Sequence, residues 1–305
     1  MPRPPCTRRT FLAAGVTALG ALHMPPDARA AAPLERRIPN TGEAVPAVGL
    51  GTWLVFDVRD AAGLAQAGET LRVFVDRGGR VVDSSPMYGA SESVTGRLAA
   101  EQGVAGRLWV ATKVWTTGKQ AGIRQMEESM RQLRVDRLDL MQVHNLVDVD
   151  THLATLREWK AAGRVRYVGI THYHAGAHAE LERRVSRGAV DAVQVNYSLA
   201  EPEADRRLLA AAASHGVAVV VNRPFAEGAM FRRVSGAPLP DWASDIRCAS
   251  WAQVFLKWIL GHPAVTCVIP ATRNPKHAAD NLAAAADPLP DERMRRTIAA
   301  HWASL

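Results

Sequence analysis

Eight short apolar runs, each followed by a more polar stretch, recur along residues 47–272 of the 305-residue chain. They are rich in valine and isoleucine and carry few charges, as strands buried on both faces of a parallel sheet do. Stretches with apolar residues at helical spacing, such as GIRQMEESMRQLRV, lie between them. The runs are AVGLGTW, RVVDSS, LWVATKVW, LDLMQVHN, VRYVGITHY, DAVQVNYSL, VAVVVNRPF and VTCVIPAT.

Eight such units over about 250 residues predict one (β/α)8 barrel, of the TIM-barrel type. Before the first unit, ERRIPNTGEAVP predicts a β-hairpin that turns at Asn40, Thr41 and Gly42. A doubly wound open sheet is the alternative, but it normally carries a glycine-rich dinucleotide turn after its first strand. The sequence has no such turn there, and the barrel is therefore preferred.

The first 30 residues differ in character from the rest of the chain. Arg8 and Arg9 precede an apolar run from Phe11 to about Leu22, and an A-x-A site follows at residues 28–30. The run is too short to cross about 30 Å of hydrocarbon. The pattern resembles a twin-arginine export signal that is cleaved near residue 30 or 32. An N-terminal amphipathic helix that stays attached is the alternative.

The chain therefore divides into a signal peptide, residues 1–30, and a barrel domain, residues 31–305. We expect the twin-arginine export machinery as a partner, a periplasmic location and no stable membrane anchor. Without a functional leader, the location would be cytoplasmic. Loss of the leader removes four basic residues and one acidic residue, so the formal net charge falls from +7 to +4. With no lysine-rich run or aromatic-basic ladder, we expect no nucleic-acid partner.

The mature chain keeps two cysteines, Cys248 and Cys267. They lack zinc-site spacing, and two scattered cysteines do not make a disulfide framework. We expect them to be buried as small hydrophobic side chains.

Four ionisable side chains are expected at one end of the barrel. Asp83, Lys113 and His144 close the second, third and fourth runs, and Tyr88 lies in the loop after Asp83. The carboxyl ends of barrel strands and the loops behind them form the active face. Each residue alone has an ordinary structural explanation, whereas all four at one rim favour catalysis.

These four groups suit the reduction of a carbonyl. Hydride addition leaves negative charge on oxygen, and a tyrosine with a pKa of about 10 is a poor acid near neutrality. A Lys113 ammonium near Tyr88 lowers that pKa, and Asp83 keeps the ammonium charged. His144 would hydrogen-bond the carbonyl oxygen. Because no side chain donates hydride, a bound nicotinamide is implied.

The chain resembles the aldo/keto reductase family over essentially all of the mature chain. The resemblance rests on GLGTW, VVDSSPMYG, WVATKVW, DLMQVHN, YVGITHY, VQVNYSL and VIPATRNPKHAADNL, which occur in family order. It implies a (β/α)8 barrel that uses NADPH to reduce an aldehyde or ketone to an alcohol. It also implies that the family's catalytic tyrosine, lysine, aspartate and histidine correspond to Tyr88, Lys113, Asp83 and His144.

The same resemblance implies a set of cofactor contacts. Gln194, Thr171 and His172 correspond to residues that bind the nicotinamide carboxamide, although serine and asparagine are usual at the last two positions. Thr272 precedes the last helix of the barrel, whose N-terminus is an anion site. Asn281 corresponds to the asparagine that contacts adenine.

Two departures from the family pattern lie after the seventh run. Where many members stack an aromatic ring on the nicotinamide, this chain has Asn222 and Arg223. We expect the planar guanidinium of Arg223 to stack on the nicotinamide in place of the ring. Glu227 adds a carboxylate to the loop that cradles the pyrophosphate in the family.

A further departure concerns the choice of nucleotide. Ala271 and His277 stand where a lysine and an arginine often hold the 2′-phosphate. Arg273 or Lys276 can compensate, which makes NADPH (as NADP in its oxidised form) the first expectation and NAD the second.

The substrate side of the site is less informative. Trp53 and Trp115 match family tryptophans that form aromatic walls of the pocket, and ordinary packing at the barrel rim is the alternative for each. We expect a small-molecule carbonyl compound as the substrate and a monomer as the functional form.

Two other functions stay open. A cell-envelope sensor or scaffold that binds a nicotinamide cofactor without turnover would account for Asn222, Arg223 and Glu227, but it has no need of four costly ionisable groups. A metal-dependent barrel hydrolase would need clustered ligands. His144 and His172 lie on neighbouring strands without accompanying carboxylates, so we expect no metal site.

Overall fold

The computed structural model describes residues 34–305, together with Met1. Apart from Met1, the predicted signal peptide lies outside the described residues. One compact unit runs from Ala32 to Leu305. Within the described part, no helix combines the length and the apolar character that a membrane crossing needs.

A two-stranded hairpin opens the described chain, as the sequence predicted. Strand β1 (Glu35–Arg37) pairs antiparallel with β2 (Ala44–Pro46). The Ile38 N–H donates to the Glu43 carbonyl oxygen (2.8 Å) and closes the turn. Ile38 and Val45 are buried in one cluster with side chains from the barrel strands, so the hairpin covers one end of the barrel.

Eight parallel strands follow, one in each predicted apolar run. They are β3 (Leu50–Gly51), β4 (Val81–Asp83), β5 (Trp109–Val114), β6 (Leu138–His144), β7 (Val165–Thr171), β8 (Ala192–Asn196), β9 (Ala218–Asn222) and β10 (Val265–Val268). Each strand pairs with the next one in the chain. Parallel bridges join Val48 to Val268 and Gly51 to Ala271. The sheet therefore closes on itself, which confirms the predicted barrel.

Helices alternate with the barrel strands along the chain. They are α1 (Ala61–Asp76), α2 (Ser91–Glu101), α3 (Lys119–Leu133), α4 (Val149–Ala161), α5 (His178–Ser186), α6 (Leu208–Ser214), α7 (Ala229–Arg233), α8 (Trp251–Leu260), α9 (Pro275–Ala283) and α10 (Glu292–Ser304). Several begin at a side chain that accepts a first-turn N–H, which satisfies a donor that the helix itself leaves unpaired. These capping residues are Asp60, Ser250, Asn274 and Asp291.

The strands are buried along nearly their whole length, because helices cover one face and the barrel interior fills the other. Cys248 and Cys267 are buried and not in a disulfide, as expected. Against this apolar background, a group of buried polar side chains stands out near the carboxyl ends of β4, β5, β6 and β8. They are Asp83, Lys113, Gln142, His144 and Gln194.

Candidate active site

The predicted catalytic residues meet at the carboxyl end of the barrel. Asp83 is the last residue of β4, Lys113 lies near the end of β5, and His144 ends β6. Lys113 is fully buried, and its Nζ donates to Asp83 Oδ1 (2.6 Å) and to the Ser84 carbonyl oxygen (2.6 Å). The ammonium is therefore held between a carboxylate and a main-chain acceptor.

Tyr88 completes the cluster from the loop after β4. Lys113 Nζ lies 4.8 Å from the centroid of the Tyr88 ring. The rings of Tyr88 and His144 meet edge to face, with their centroids 5.9 Å apart. One small group at the barrel mouth can therefore contact both the tyrosine and the histidine.

The electrostatics of Tyr88 combine opposing effects. Burial raises the pKa of Tyr88 above its usual value of 10.0, the Lys113 ammonium lowers it, and the Asp83 carboxylate raises it. The predicted lowering of the Tyr88 pKa by Lys113 is present, but burial outweighs it. For Lys113, burial lowers the pKa, whereas Asp83 and Tyr88 raise it by more, so the ammonium keeps its charge.

His144 is neutral in this environment. Burial is the main cause that lowers its pKa to about 2, and the charges of Lys113 and His172 act in the same direction. Its Nδ1 lies 3.0 Å from the Ser85 hydroxyl oxygen. A neutral imidazole carries one N–H donor and one lone pair, so His144 can offer a hydrogen bond without carrying a charge.

Two glutamines complete the surroundings of Asp83. Its Oδ2 accepts from Nε2 of Gln142 (3.2 Å) and from Nε2 of Gln194 (2.8 Å). Gln142 was not among the residues predicted from the sequence. A signal for it exists, because Gln142 stands two residues before His144 in an apolar strand run, and alternate strand residues point to the same face.

The residues predicted to hold a carboxamide are also close together. Gln194 Oε1 accepts from Thr171 Oγ1 (3.2 Å) and from Asn222 Nδ2 (3.4 Å), and Asn222 Nδ2 also reaches the His172 carbonyl oxygen (3.2 Å). Asn222 Oδ1 is buried without a hydrogen-bond partner in the described part of the chain. The His172 ring packs against that of Tyr173. An unpaired acceptor beside an amide fits a ligand that donates N–H groups.

Arg223, predicted to replace a stacking aromatic ring, is held by two carboxylates. Its guanidinium forms ion pairs with Glu227 and with Glu201, the latter at 3.1 Å. Glu227 is therefore paired with a cation in its own loop. The Arg223 guanidinium carbon lies 6.0 Å from the centroid of the ring of Tyr173, an exposed residue in the loop after β7.

The adenine-side candidates lie just before α9, in its first turn and, for Asn281, in its last turn. They are Thr272, Arg273, His277 and Asn281. Asn274 caps the helix by accepting from the Lys276 N–H (2.9 Å), and Thr272 Oγ1 accepts from the Asn274 N–H (3.0 Å). Arg273 Nε donates to Gln66 on α1 (3.1 Å). Two cations, Arg273 and Lys276, thus accompany a helix N-terminus, which favours an anion.

Apolar side chains line the rim of the mouth. Trp53 and Trp115, the predicted substrate walls, are 39% and 42% exposed. Most of the exposed large apolar residues within residues 34–305 lie on loops after barrel strands. These are Trp53, Leu54, Met87, Trp115 and Tyr173. Among the described residues, no cluster of three or more histidine, cysteine, aspartate or glutamate side chains has the geometry to hold a metal.

Comparisons with known proteins agree on one family. A sequence model of the aldo/keto reductase family matches residues 47–302, which include every candidate residue above. Methylglyoxal reductase DkgB of Salmonella typhi is 27% identical over 249 residues, covering 79% of this chain and 87% of that protein. An aldo-keto reductase of Mycobacterium sp. (strain KMS) is 29% identical over 256 residues, covering 80% and 84%. The aldo/keto reductase of Klebsiella pneumoniae, solved in complex with NADP and acetate, superposes with a TM-score of 0.75 at 27% identity, covering 88% of this chain and 95% of that one.

Proposed function

The chain belongs to the aldo/keto reductase family, and from that premise we propose that it reduces an aldehyde or ketone to an alcohol with a nicotinamide cofactor. One buried contact supports this most directly. Lys113 Nζ lies 2.6 Å from Asp83 Oδ1 and 4.8 Å from the centroid of the Tyr88 ring. Burying two charges is costly, and a hydrophobic pair would often be as stable. Proton transfer at Tyr88 gives this ion pair a purpose.

The residues at the mouth fit NADPH. Asn222 Oδ1, a buried acceptor without a partner in the described residues, and the amide of Gln194 would hold the carboxamide. Arg273 and Lys276, at the start of α9, would hold the adenine-side phosphate. The bound nicotinamide supplies the hydride. NADPH is favoured over NADH by these two cations and by the NADP complex of the Klebsiella relative.

In this mechanism, the chain's own groups handle the oxygen of the substrate. His144 is neutral and would orient the carbonyl through a hydrogen bond. Tyr88 would release its proton to the same oxygen as negative charge develops there. The raised pKa of Tyr88 keeps the proton on the phenol until that moment, and the Lys113 ammonium then stabilises the phenolate.

The rim indicates the kind of substrate. Exposed Trp53 and Trp115 offer flat apolar surfaces to a carbonyl compound that carries an aromatic or aliphatic group. The Salmonella relative is a methylglyoxal reductase, so a small α-oxoaldehyde is the second class to test.

A fluorescence titration of the full chain with NADPH and NADH, followed by turnover assays, tests the proposal. The panel contains methylglyoxal, aromatic and aliphatic aldehydes, and ketones. We expect saturable NADPH binding and turnover on at least one aldehyde. If neither nucleotide binds, the result contradicts the assigned cofactor site.

A cofactor-binding sensor or scaffold of the cell envelope is the second candidate function. The ion pairs of Arg223 with Glu201 and Glu227 favour it, because they place two carboxylates in the loops where a diphosphate would lie. Binding of a nucleotide without turnover on any carbonyl of the panel would support this role over the reductase.

We further propose that the protein is exported by the twin-arginine pathway and acts in the periplasm as a monomer. Support comes from the sequence of residues 1–30, in which Arg8 and Arg9 precede the apolar run. Cell fractionation should find the parent chain in the periplasm, and a variant with Arg8→Lys and Arg9→Lys in the cytoplasm. Equal distribution of both chains would contradict export by this route. Light scattering on the purified parent measures its molecular mass and so tests the proposed monomer.

A further inference from the structure

Ser85 and His144 form a buried hydrogen bond in the active site. Ser85 is fully buried, and its Oγ lies 3.0 Å from Nδ1 of His144. The same oxygen accepts, at 3.4 Å, from the main-chain N–H of Met87. These two contacts decide which of the atoms in the Ser85–His144 pair is the donor.

A serine hydroxyl has one hydrogen to donate and two lone pairs that accept. The Met87 N–H already uses one lone pair of Ser85 Oγ. If His144 Nδ1 also donated to this oxygen, the Ser85 hydrogen would need another acceptor, yet Oγ forms no further hydrogen bond within residues 34–305. A buried donor without a partner is disfavoured on the order of tenfold or more. The hydroxyl therefore donates to Nδ1.

We propose that Ser85 is a positioning residue that keeps the proton of His144 on Nε2. With Nδ1 occupied as an acceptor, the ring's single N–H is at Nε2. This step rests on the proposed function, in which this N–H donates a hydrogen bond to the substrate carbonyl oxygen. The opposite tautomer would present a lone pair to that oxygen, and two lone pairs repel.

The surroundings keep the ring in its neutral form. Burial lowers the pKa of His144 to about 2, and the charges of Lys113 on β5 and of His172, which follows β7, act in the same direction. A doubly protonated ring, which would donate at both nitrogens, is thereby excluded at ordinary pH. The choice lies between two neutral tautomers, and a single hydroxyl decides it.

Nitrogen-15 NMR of the full chain, labelled at histidine, measures the tautomer without substrate or turnover. The His144 signals are assigned by their loss in His144→Gln. We expect a protonated Nε2 and a hydrogen-bonded, unprotonated Nδ1 in the parent protein. In Ser85→Ala the Nδ1 signal should move away from its hydrogen-bonded position, and the other tautomer should appear. A parent His144 that is protonated on Nδ1, or signals unchanged in Ser85→Ala, would overturn the proposal.

Ser84→Ala is the matched control. Ser84 is the neighbouring serine, equally buried, and its Oγ accepts from Thr52 Oγ1 (2.9 Å) instead of contacting His144. Its His144 signals should equal those of the parent. A shift as large as that in Ser85→Ala would mean that general repacking, and not the lost hydroxyl, moves the histidine, and this would also overturn the proposal.

Kinetics give a separate readout. Ser85→Ala should lower kcat about tenfold with unchanged NADPH affinity, a smaller loss than removal of a whole oxyanion donor. Ser85→Thr, which keeps the hydroxyl, should restore most of the rate. If the parent reduces no carbonyl, the proposed function fails while the NMR result still decides the role of Ser85. If the parent is active and Ser85→Ala equals it in kcat, the positioning role fails alone.

Discussion

Gln194 on β8 donates its side-chain N–H to Asp83 Oδ2 on β4 across 2.8 Å, although 111 positions separate the two residues in the chain. The proposed carboxamide-binding glutamine thus contacts the carboxylate that holds Lys113. Asp83 accepts hydrogen bonds from three side chains, those of Lys113, Gln142 and Gln194. Because Asp83 is hydrogen-bonded to both Lys113 and Gln194, the cofactor side and the proton-donor side of the site are parts of one hydrogen-bond network.

Replacement of Tyr88 tests the assigned acid. Tyr88→Phe removes the hydroxyl and keeps the ring that meets His144 edge to face. Since general acid catalysis contributes about 100-fold to 10,000-fold, kcat should fall by at least about 100-fold. The NADPH dissociation constant from the fluorescence titration should stay within about twofold. Parent-like turnover by Tyr88→Phe would show that another group provides the proton.

Lys113→Met tests the charge beside the tyrosine. Without the ammonium the pKa of Tyr88 rises further, because Lys113 is the group that lowers it. In the parent, reduction slows as pH rises through the Tyr88 pKa. In the variant, kcat should be lower, and the alkaline falling limb of its pH profile should lie at higher pH. The pH profile of kcat, recorded over the alkaline range, measures this shift.

The same substitution leaves Asp83 buried without its cation, which typically destabilises a protein by about 3–5 kcal/mol. Thermal unfolding must therefore confirm that Lys113→Met is folded at the assay temperature. A folded variant whose falling limb lies at the parental pH or lower would contradict the proposed effect of Lys113 on Tyr88.

Glu92 on α2 should make stability depend on pH. Its buried carboxyl accepts from Thr112 and from Ser129, and burial raises its pKa from 4.5 to about 7. The folded state thus prefers the protonated form. This contribution to the free energy of unfolding is fully present below about pH 4.5 and is lost as pH rises to about 7. Its size is at most about 3 kcal/mol.

Urea unfolding at pH 5 and pH 8 measures the effect. Between pH 5 and pH 8, the free energy of unfolding should fall more in the parent than in Glu92→Gln, because glutamine does not titrate. Glu101→Gln, an exposed position at the end of the same helix, is the control and should follow the parent. Parallel pH profiles for the parent and Glu92→Gln would rule out this carboxyl as the source.

Glu227 should weaken the binding of an anionic cofactor. Its carboxylate pairs with Arg223 in the loop after β9 and is about half exposed. Glu227→Gln removes the negative charge, so NADPH affinity should rise about twofold to fivefold, the usual worth of a surface charge pair. The gain should shrink at high salt.

Glu128→Gln serves as the control for this substitution. Glu128 is also an exposed carboxylate paired with an arginine, Arg131, but it lies on α3. It should leave NADPH affinity unchanged. A loss of affinity in Glu227→Gln would instead mean that the ion pair with Glu227 holds Arg223 in the position that cofactor binding needs.

The sequence by itself determined the fold and placed Asp83, Tyr88, Lys113 and His144 at the mouth of the barrel. Buried parallel strands read as apolar runs, so the order and the carboxyl ends of the strands are visible in the chain. A residue at such an end, as Asp83 or His144 is, must lie at the barrel mouth. The hairpin turn could also be predicted from the sequence, because the residues that close it are neighbours in the chain.

Only the tertiary structure decided how these side chains act on one another. The balance at Tyr88 depends on the depth of burial, which outweighs the charge of Lys113. The pairing of Arg223 with Glu201 joins loops that follow different strands. The bond between Ser85 and His144 spans 59 positions. Hydrogen bonds and Coulomb energies depend on distances of a few ångströms between residues that are far apart in the chain, and those distances exist only once the barrel has closed.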